Sequence, residues 1–169
     1  MEIGKFEIPQ LEEYYMMLAF VASSRANCLN KRVGAVLVTP DNKHILATAY
    51  NGVPSGLPHC EGICSRRTAG FKSGEGLHLC RAAHAEQNIL TQIARNNAGS
   101  SKDAIMYITH SPCNECTKLI INSGIKKVVY CYQYPNLQVM DNLRSVGVEV
   151  KQLDIEIIKQ KLEAYSKLI

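Results

Sequence analysis

"AIMYITHSPCNECTKLIINSGIKKVVYC", Ala104 to Cys131, is the stretch that sets the fold class. Ala104 to Thr109 is a short apolar run and reads as a buried strand. Asn114 to Ser123 spaces its apolar residues as a helix does. Gly124 ends that helix, because glycine readily takes the left-handed backbone that closes one. "KKVVYC" (Lys126 to Cys131) is a second apolar, β-branched strand. Strand, helix and strand in this order form a βαβ unit, and such units build sheets with parallel members.

The same alternation extends in both directions. Upstream, a helix is expected over about Ala82 to Asn97. Before it, "VGAVLV" (Val33 to Val38) and "HILATAY" (His44 to Tyr50) flank the turn "TPDNKH" and read as a hairpin. Leu11, Tyr14, Tyr15, Leu18, Ala19 and Ala22 recur at helical spacing after Pro9 and predict an opening helix. Downstream come a helix over Asn136 to Ser145, a short strand "VGVEV" and a closing amphipathic helix over Ile155 to Leu168. Asn51 to Gly76 has no sustained period. A loop that long inside a compact unit needs a tie, and a metal staple supplies one. The length of 169 residues suits a single domain, 1–169, with a core over about residues 10–152 and the C-terminal helix at about 154–169.

Bulk properties narrow the function. Hydrophobic residues make up 46% of the chain, enough for a real core. Nineteen basic against fifteen acidic residues give +4, and they are scattered. That balance suits a small anionic substrate such as a nucleotide and argues against a nucleic-acid-binding tail. The opening "MEIGKFEIPQLEEYYMM" has no basic flank and no continuous apolar run, so neither a signal peptide nor a membrane span is expected and the location expected is cytoplasmic. In a reducing compartment, seven cysteines point to metal binding before disulfides.

Two segments carry the chemistry. Cys113 and Cys116 follow Pro112 and share one helix face, three residues apart. In a first helical turn they feel the positive end of the dipole, which favours the thiolates that zinc needs. A redox pair would also fit after a strand, so this pair alone leaves both readings open. "HAEQNIL", starting at His84, discriminates. Residues two apart in mid-helix point about 200° apart, so His84 and Glu86 address one site only at a helix start. One histidine nitrogen and two thiolates leave the fourth tetrahedral position for water, as in catalytic zinc. Glu86, outside the ligand set, then moves that water's proton. The set matches the H-x-E…P-C-x-x-C deaminase signature. Taken separately, His84 and Glu86 read as a capping pair and the cysteines as a redox or core pair.

On these residues the chain resembles the zinc-dependent cytidine deaminase superfamily, and within it the deoxycytidylate (dCMP) deaminases, from about Arg25 to Val150. The resemblance rests on "VGAVLV", "AYNGVPSG", "HAEQNIL", "MYITHSPCNEC", "INSGIKKVVY" and Tyr134. Asn51-Gly52-x-Pro54-x-Gly56 and Asn88 resemble the dCMP-specific branch, and tRNA adenosine deaminases lack the former. Gln87 and Ile89 depart from the commoner leucine and alanine. The resemblance implies a three-layer α/β/α sandwich with a mixed five-stranded sheet. It implies hydrolysis of dCMP to dUMP and ammonia, which supplies dUMP for thymidylate synthesis. Water would attack C4 of the base while Glu86 carries protons to N3 and then to the leaving amine. Asn51 is implied to contact the sugar or base.

Arg25 is the candidate for the 5′-phosphate, because a guanidinium grips phosphate oxygens in a forked geometry; as a plain surface residue it would be solvated near a helix end. Tyr134 matches a position near the site, with core packing as the alternative. Cys28, Cys60, Cys64 and Cys80 would form a closed, four-ligand structural zinc site, similar to the second zinc of some bacterial and phage members. His59 or His78 could replace one of them, and unligated thiols are the alternative. Cys131 reads as a small core residue. Relatives commonly form homo-oligomers, often hexamers, activated by dCTP and inhibited by dTTP. By similarity Gly52, Pro54, Gly56 and Arg95 look like effector or subunit-contact positions, although a cation at a helix C-terminus explains Arg95 equally well. The competing activities are deamination of dCTP, cytidine or tRNA. A non-catalytic, zinc-stapled binding module is the competing class, and Glu86 argues against it.

Overall fold

The computed structural model describes residues 7–72, 75–135 and 138–167. Helix α1 (Leu11–Ser23) leads into strands β1 (Gly34–Val38) and β2 (Ile45–Tyr50). A long connection carrying the short helix α2 (Ser65–Thr68) follows, then α3 (Ala85–Asn96), β3 (Ile105–His110), α4 (Asn114–Asn122), β4 (Lys127–Tyr132), α5 (Gln138–Ser145), β5 (Glu149–Gln152) and α6 (Ile155–Ser166). The five strands form one sheet in the order β2-β1-β3-β4-β5. β1 is antiparallel to β2 and to β3, while β3, β4 and β5 run parallel. This is the mixed sheet the resemblance implied, and Ala104 to Cys131 is its parallel βαβ unit.

Both faces of the central strands are buried because their side chains alternate with period two. Ala35, Leu37, Met106, Ile108, Val128 and Tyr130 pack against Ile89 and Ile93 of α3, Ile120 of α4 and Met140 and Leu143 of α5. Val36, Val38, Tyr107, Val129 and Cys131 pack on the other face against Tyr15, Met16 and Ala19 of α1 and Ile158 of α6. Each large side chain taken out of water contributes about 1.5–3 kcal/mol. That makes three layers, α/β/α, with Cys131 in the core as expected. Gly34 allows the closest approach: a Cβ there would lie 2.0 Å from the Ala19 carbonyl oxygen, so only glycine lets α1 lie this tightly on β1.

Strand direction then gathers the site. β1 begins, and β2, β3 and β4 end, at the same edge of the sheet. Val33, Asn51, Ser111 and the segment after Tyr132 are therefore neighbours there, outside the carboxyl ends of the parallel strands where α/β sheets hold their ligands.

Two element boundaries differ from the sequence expectation. Helix α3 starts at Ala85 and not near Ala82, because Ala83 is held in an extended bridge to Gly52, with N···O distances of 3.0 and 2.9 Å. The last strand starts at Glu149 rather than Val146. Gly147 (φ 83°) turns the chain back, and the amide of Val148 donates to the Leu143 carbonyl to cap α5. The expected starts at Asn136 and end at Leu168 lie outside the described residues. The long connection is tied by buried Arg66, whose Nε donates to the Glu75 carbonyl at 2.7 Å. No helix among the described residues is long and apolar enough to cross a membrane.

Candidate active site

His84 immediately precedes α3 on extended backbone (φ −75°, ψ 159°), and Glu86 is the second residue of the helix. The geometric objection to a pair two apart therefore does not apply, since the histidine stands outside the helical spiral. Gln87 fixes the junction by accepting the His84 amide N–H at 2.7 Å. Cys113 stands in the same relation to α4 (φ −80°, ψ 173°), with Cys116 one turn in. Pro112 before it biases the chain away from continuing helix upstream.

The side chains converge. His84 Nδ1 lies 3.3 Å from Cys116 Sγ and 3.5 Å from Cys113 Sγ. A tetrahedral zinc with Zn–N of about 2.0 Å and Zn–S of about 2.3 Å sets N···S edges at about 3.5 Å, so both N···S distances match the edges of such a site. Among the described residues, this is the one group of three or more His, Cys, Asp or Glu side chains whose ligand atoms lie within 4.8 Å of one another. The electrostatics agree. The Cys116 thiol donates to Cys113, whose own thiol is pulled down to about 4 with further help from His84, while Cys116 is pushed up by that shared proton and by burial. A divalent cation relieves this competition and lets both become thiolates.

Glu86 is 4% exposed. Burial raises its carboxyl to about 6, partly offset by the charge of His84. A carboxyl held near neutrality can both accept and return a proton at working pH.

The pocket above these groups is walled by Lys31, Val33, Asn51, His110, Ser111 and Tyr134. Asn51 is buried and clasps the strand entry: its Oδ1 accepts from the Val33 amide and its Nδ2 donates to the Lys31 carbonyl, each at 2.8 Å. One N–H and one lone pair of that amide stay free of these two bonds. The Tyr134 amide donates to Ser111 Oγ at 2.7 Å, and the Lys31 ammonium sits 4.8 Å from the Tyr134 ring centroid. His110 packs on Tyr132, and burial with the nearby Lys31 charge lowers it to about 4, so it is neutral.

Of the sequence candidates, the fold brings His84, Glu86, Cys113, Cys116, Asn51 and Tyr134 to this pocket. Arg25, Gly52, Pro54, Gly56 and Arg95 line a second cleft of 860 Å³ instead, together with His59 and Asn88. Cys28, Cys60, Cys64 and Cys80 are all half-buried, and no three of their sulfurs gather within 4.8 Å of one another. His59 Nδ1 takes a 2.8 Å hydrogen bond from Asn27, and His78 packs edge-on to Phe71. Lys31, His110 and Ser111 escaped the sequence reading. Ser111 and His110 adjoin the Pro112-Cys113 motif, which is a local signal; Lys31 carries none.

Comparison with known proteins agrees with this arrangement. The family model for the cytidine and deoxycytidylate deaminase zinc-binding region matches residues 9–132. A deoxycytidylate deaminase of Schizosaccharomyces pombe is 37% identical over 146 residues, 85% of this chain and 44% of that protein. One from Mycobacterium phage D29 is 37% identical over 127 residues, 72% of this chain and 94% of that one. The chain spans less than half the length of the two yeast relatives it matches, at 44% and 45%. The dCMP deaminase of cyanophage S-TIM5, solved in complex with dCMP and dUMP, superposes with a TM-score of 0.69 at 33% identity, covering 87% of this chain and 99% of that chain.

Proposed function

The chain belongs to the cytidine and deoxycytidylate deaminase zinc-binding family, and from that premise we propose that it hydrolyses dCMP to dUMP and ammonia. The observation that carries the reading is the three-donor cluster of His84, Cys113 and Cys116 with buried Glu86 beside it. Zinc held by His84, Cys113 and Cys116 would supply a water acidified towards neutral pH. Glu86 takes one proton from the attacking water and delivers it to N3 of the cytosine, then takes the proton of the new C4 hydroxyl and passes it to the amine as the C4–N bond breaks. One water is consumed and one ammonia leaves. Asn51, through its remaining N–H and lone pair, orients the nucleotide. Tyr134 closes the wall and keeps bulk water out.

Parallel assays on dCMP, dCTP, cytidine, deoxycytidine and tRNA test the substrate. Preferential turnover of dCMP is expected, and turnover of tRNA with none of dCMP would overturn the reading.

Regulation and a second metal are part of the same proposal. The 860 Å³ cleft presents the cations Arg25 and Arg95 around Gly52, Pro54 and Gly56, a chemistry that suits a nucleoside triphosphate such as dCTP or dTTP in a homo-oligomer. Identical dCMP saturation curves with and without dCTP would remove this effector role. A structural zinc at Cys28, Cys60, Cys64 and Cys80 rests on their placement in sequence. Two zinc ions per chain, falling to one on Cys60→Ser, support it, and one in both proteins rejects it.

A further inference from the structure

We propose that Lys31 is the residue that selects the phosphorylated substrate, its ammonium pairing with the 5′-phosphate of a nucleotide whose base lies over Glu86. The assignment rests on the dCMP reading and deepens it. A monophosphate brings negative charge to the mouth of the catalytic pocket, so the wall must offer a cation. Arg25 was the candidate by position in the sequence, yet it lines the other cleft with Arg95. Lys31 is the Lys or Arg on the catalytic wall itself.

Three observations fit Lys31 for the task. First, its backbone is fixed, because Asn51 takes hold of both its carbonyl and the Val33 amide. Second, its ammonium is parked over the Tyr134 ring, 4.8 Å from the centroid. An aromatic face holds a cation in place yet leaves its N–H donors available to an anion. Third, no carboxylate neutralises it: the ion pairs among the described residues engage Lys118, Lys127, Lys151, Lys159, Lys161, Lys167 and Arg144, and none engages Lys31. Its field does reach the pocket floor, where it helps to hold His110 neutral. A neutral imidazole there adds no second cation and leaves the anion to Lys31.

The test compares the wild-type chain with Lys31→Met, Lys31→Arg and Arg25→Met on dCMP and on deoxycytidine, with dUMP and deoxyuridine as competitive ligands that report the same contrast without turnover. Lys31→Met should lower kcat/KM for dCMP at least tenfold, mainly through KM, and weaken dUMP inhibition alike, while the deoxycytidine and deoxyuridine values stay within about twofold, as expected for one lost charge-assisted contact. Lys31→Arg should recover most of the loss. Equal losses on nucleotide and nucleoside would make Lys31 merely structural and overturn the assignment, as would a phosphate-selective loss in Arg25→Met with none in Lys31→Met. A wild-type chain that turns over deoxycytidine but not dCMP overturns the parent reading and this assignment with it.

Discussion

Exchanging Glu86 for glutamine keeps the shape of the buried side chain and removes the oxygen that accepts a proton. The zinc ligands are untouched, so Glu86→Gln should retain its metal and lose turnover by a factor of about 10²–10⁴, the usual worth of a positioned acid–base group; zinc content and dCMP turnover measured on one preparation check both halves. Activity together with full zinc would refute the shuttle. The pH profile carries the same information. Burial raises Glu86 to about 6, and a neighbouring divalent cation lowers it again. Because the base must be ionised to take a proton, kcat/KM should fall as pH drops through a limb at or below about 6; a limb near pH 8 contradicts this assignment. His84, Glu86, Cys113 and Cys116 were legible because each pair sits at one helix start and the two pairs together match a single signature. Asn51 was legible as a site residue, but its role as a clasp on Lys31 and Val33 was hidden. That bond joins positions eighteen and twenty residues apart, and no local period encodes it.

The elements are held by close approaches and by a few charges that bridge layers. Gly34→Ala would drive a methyl group to 2.0 Å from the Ala19 carbonyl and 2.6 Å from the Ser23 nitrogen, both backbone atoms of α1 that cannot swing away. Helix α1 must shift as a body, and overpacking of this kind costs about 1–3 kcal/mol or more. A lower urea midpoint with an unchanged slope is the expected result. Glu12 ties α1 to the sheet through Lys127 and Lys151. Burial alone would raise its carboxyl, but hydrogen bonds from Lys151 and Lys127 outweigh burial and hold it below its ordinary value. The folded value being depressed, this stabilisation is present above the unfolded value of 4.5 and is lost as pH falls through the lower folded one. Glu12→Gln should therefore cost about 1 kcal/mol at pH 7 and nothing in strong acid, as read by melts across that range. Strands and helices from Ala104 to Cys131 were legible because their periods differ, two against 3.6. Val146 to Val148 misled, since an apolar β-branched run also serves to cap a helix when a glycine in its midst turns left-handed.

At the scale of the whole molecule, the order of strands does what no single motif can. Alternating strands and helices announced a parallel sheet, but nothing in that pattern says that β1 inserts antiparallel between β2 and β3. That insertion brings residues 31–33 and Asn51 beside the starts of α3 and α4, and it is why Lys31 could not be placed from the sequence. The same topology makes the metal a tie between segments. His84 and the two cysteines are 29 and 32 residues apart, on helices held to different strands, so an ion joining them stabilises the folded chain against any state in which they separate. At free zinc a hundredfold above its dissociation constant the gain is about 2.7 kcal/mol. A chain of this size moves about 2–4 °C for each kcal/mol. Stripping the metal with a chelator should accordingly lower the melting temperature by about 5–10 °C and abolish deamination. Zinc added back should restore both, whereas magnesium, which prefers oxygen donors, should restore neither. A chelated chain that melts unchanged while losing activity would confine zinc to chemistry, and one that keeps its activity would leave His84, Cys113 and Cys116 without the role their geometry assigns them.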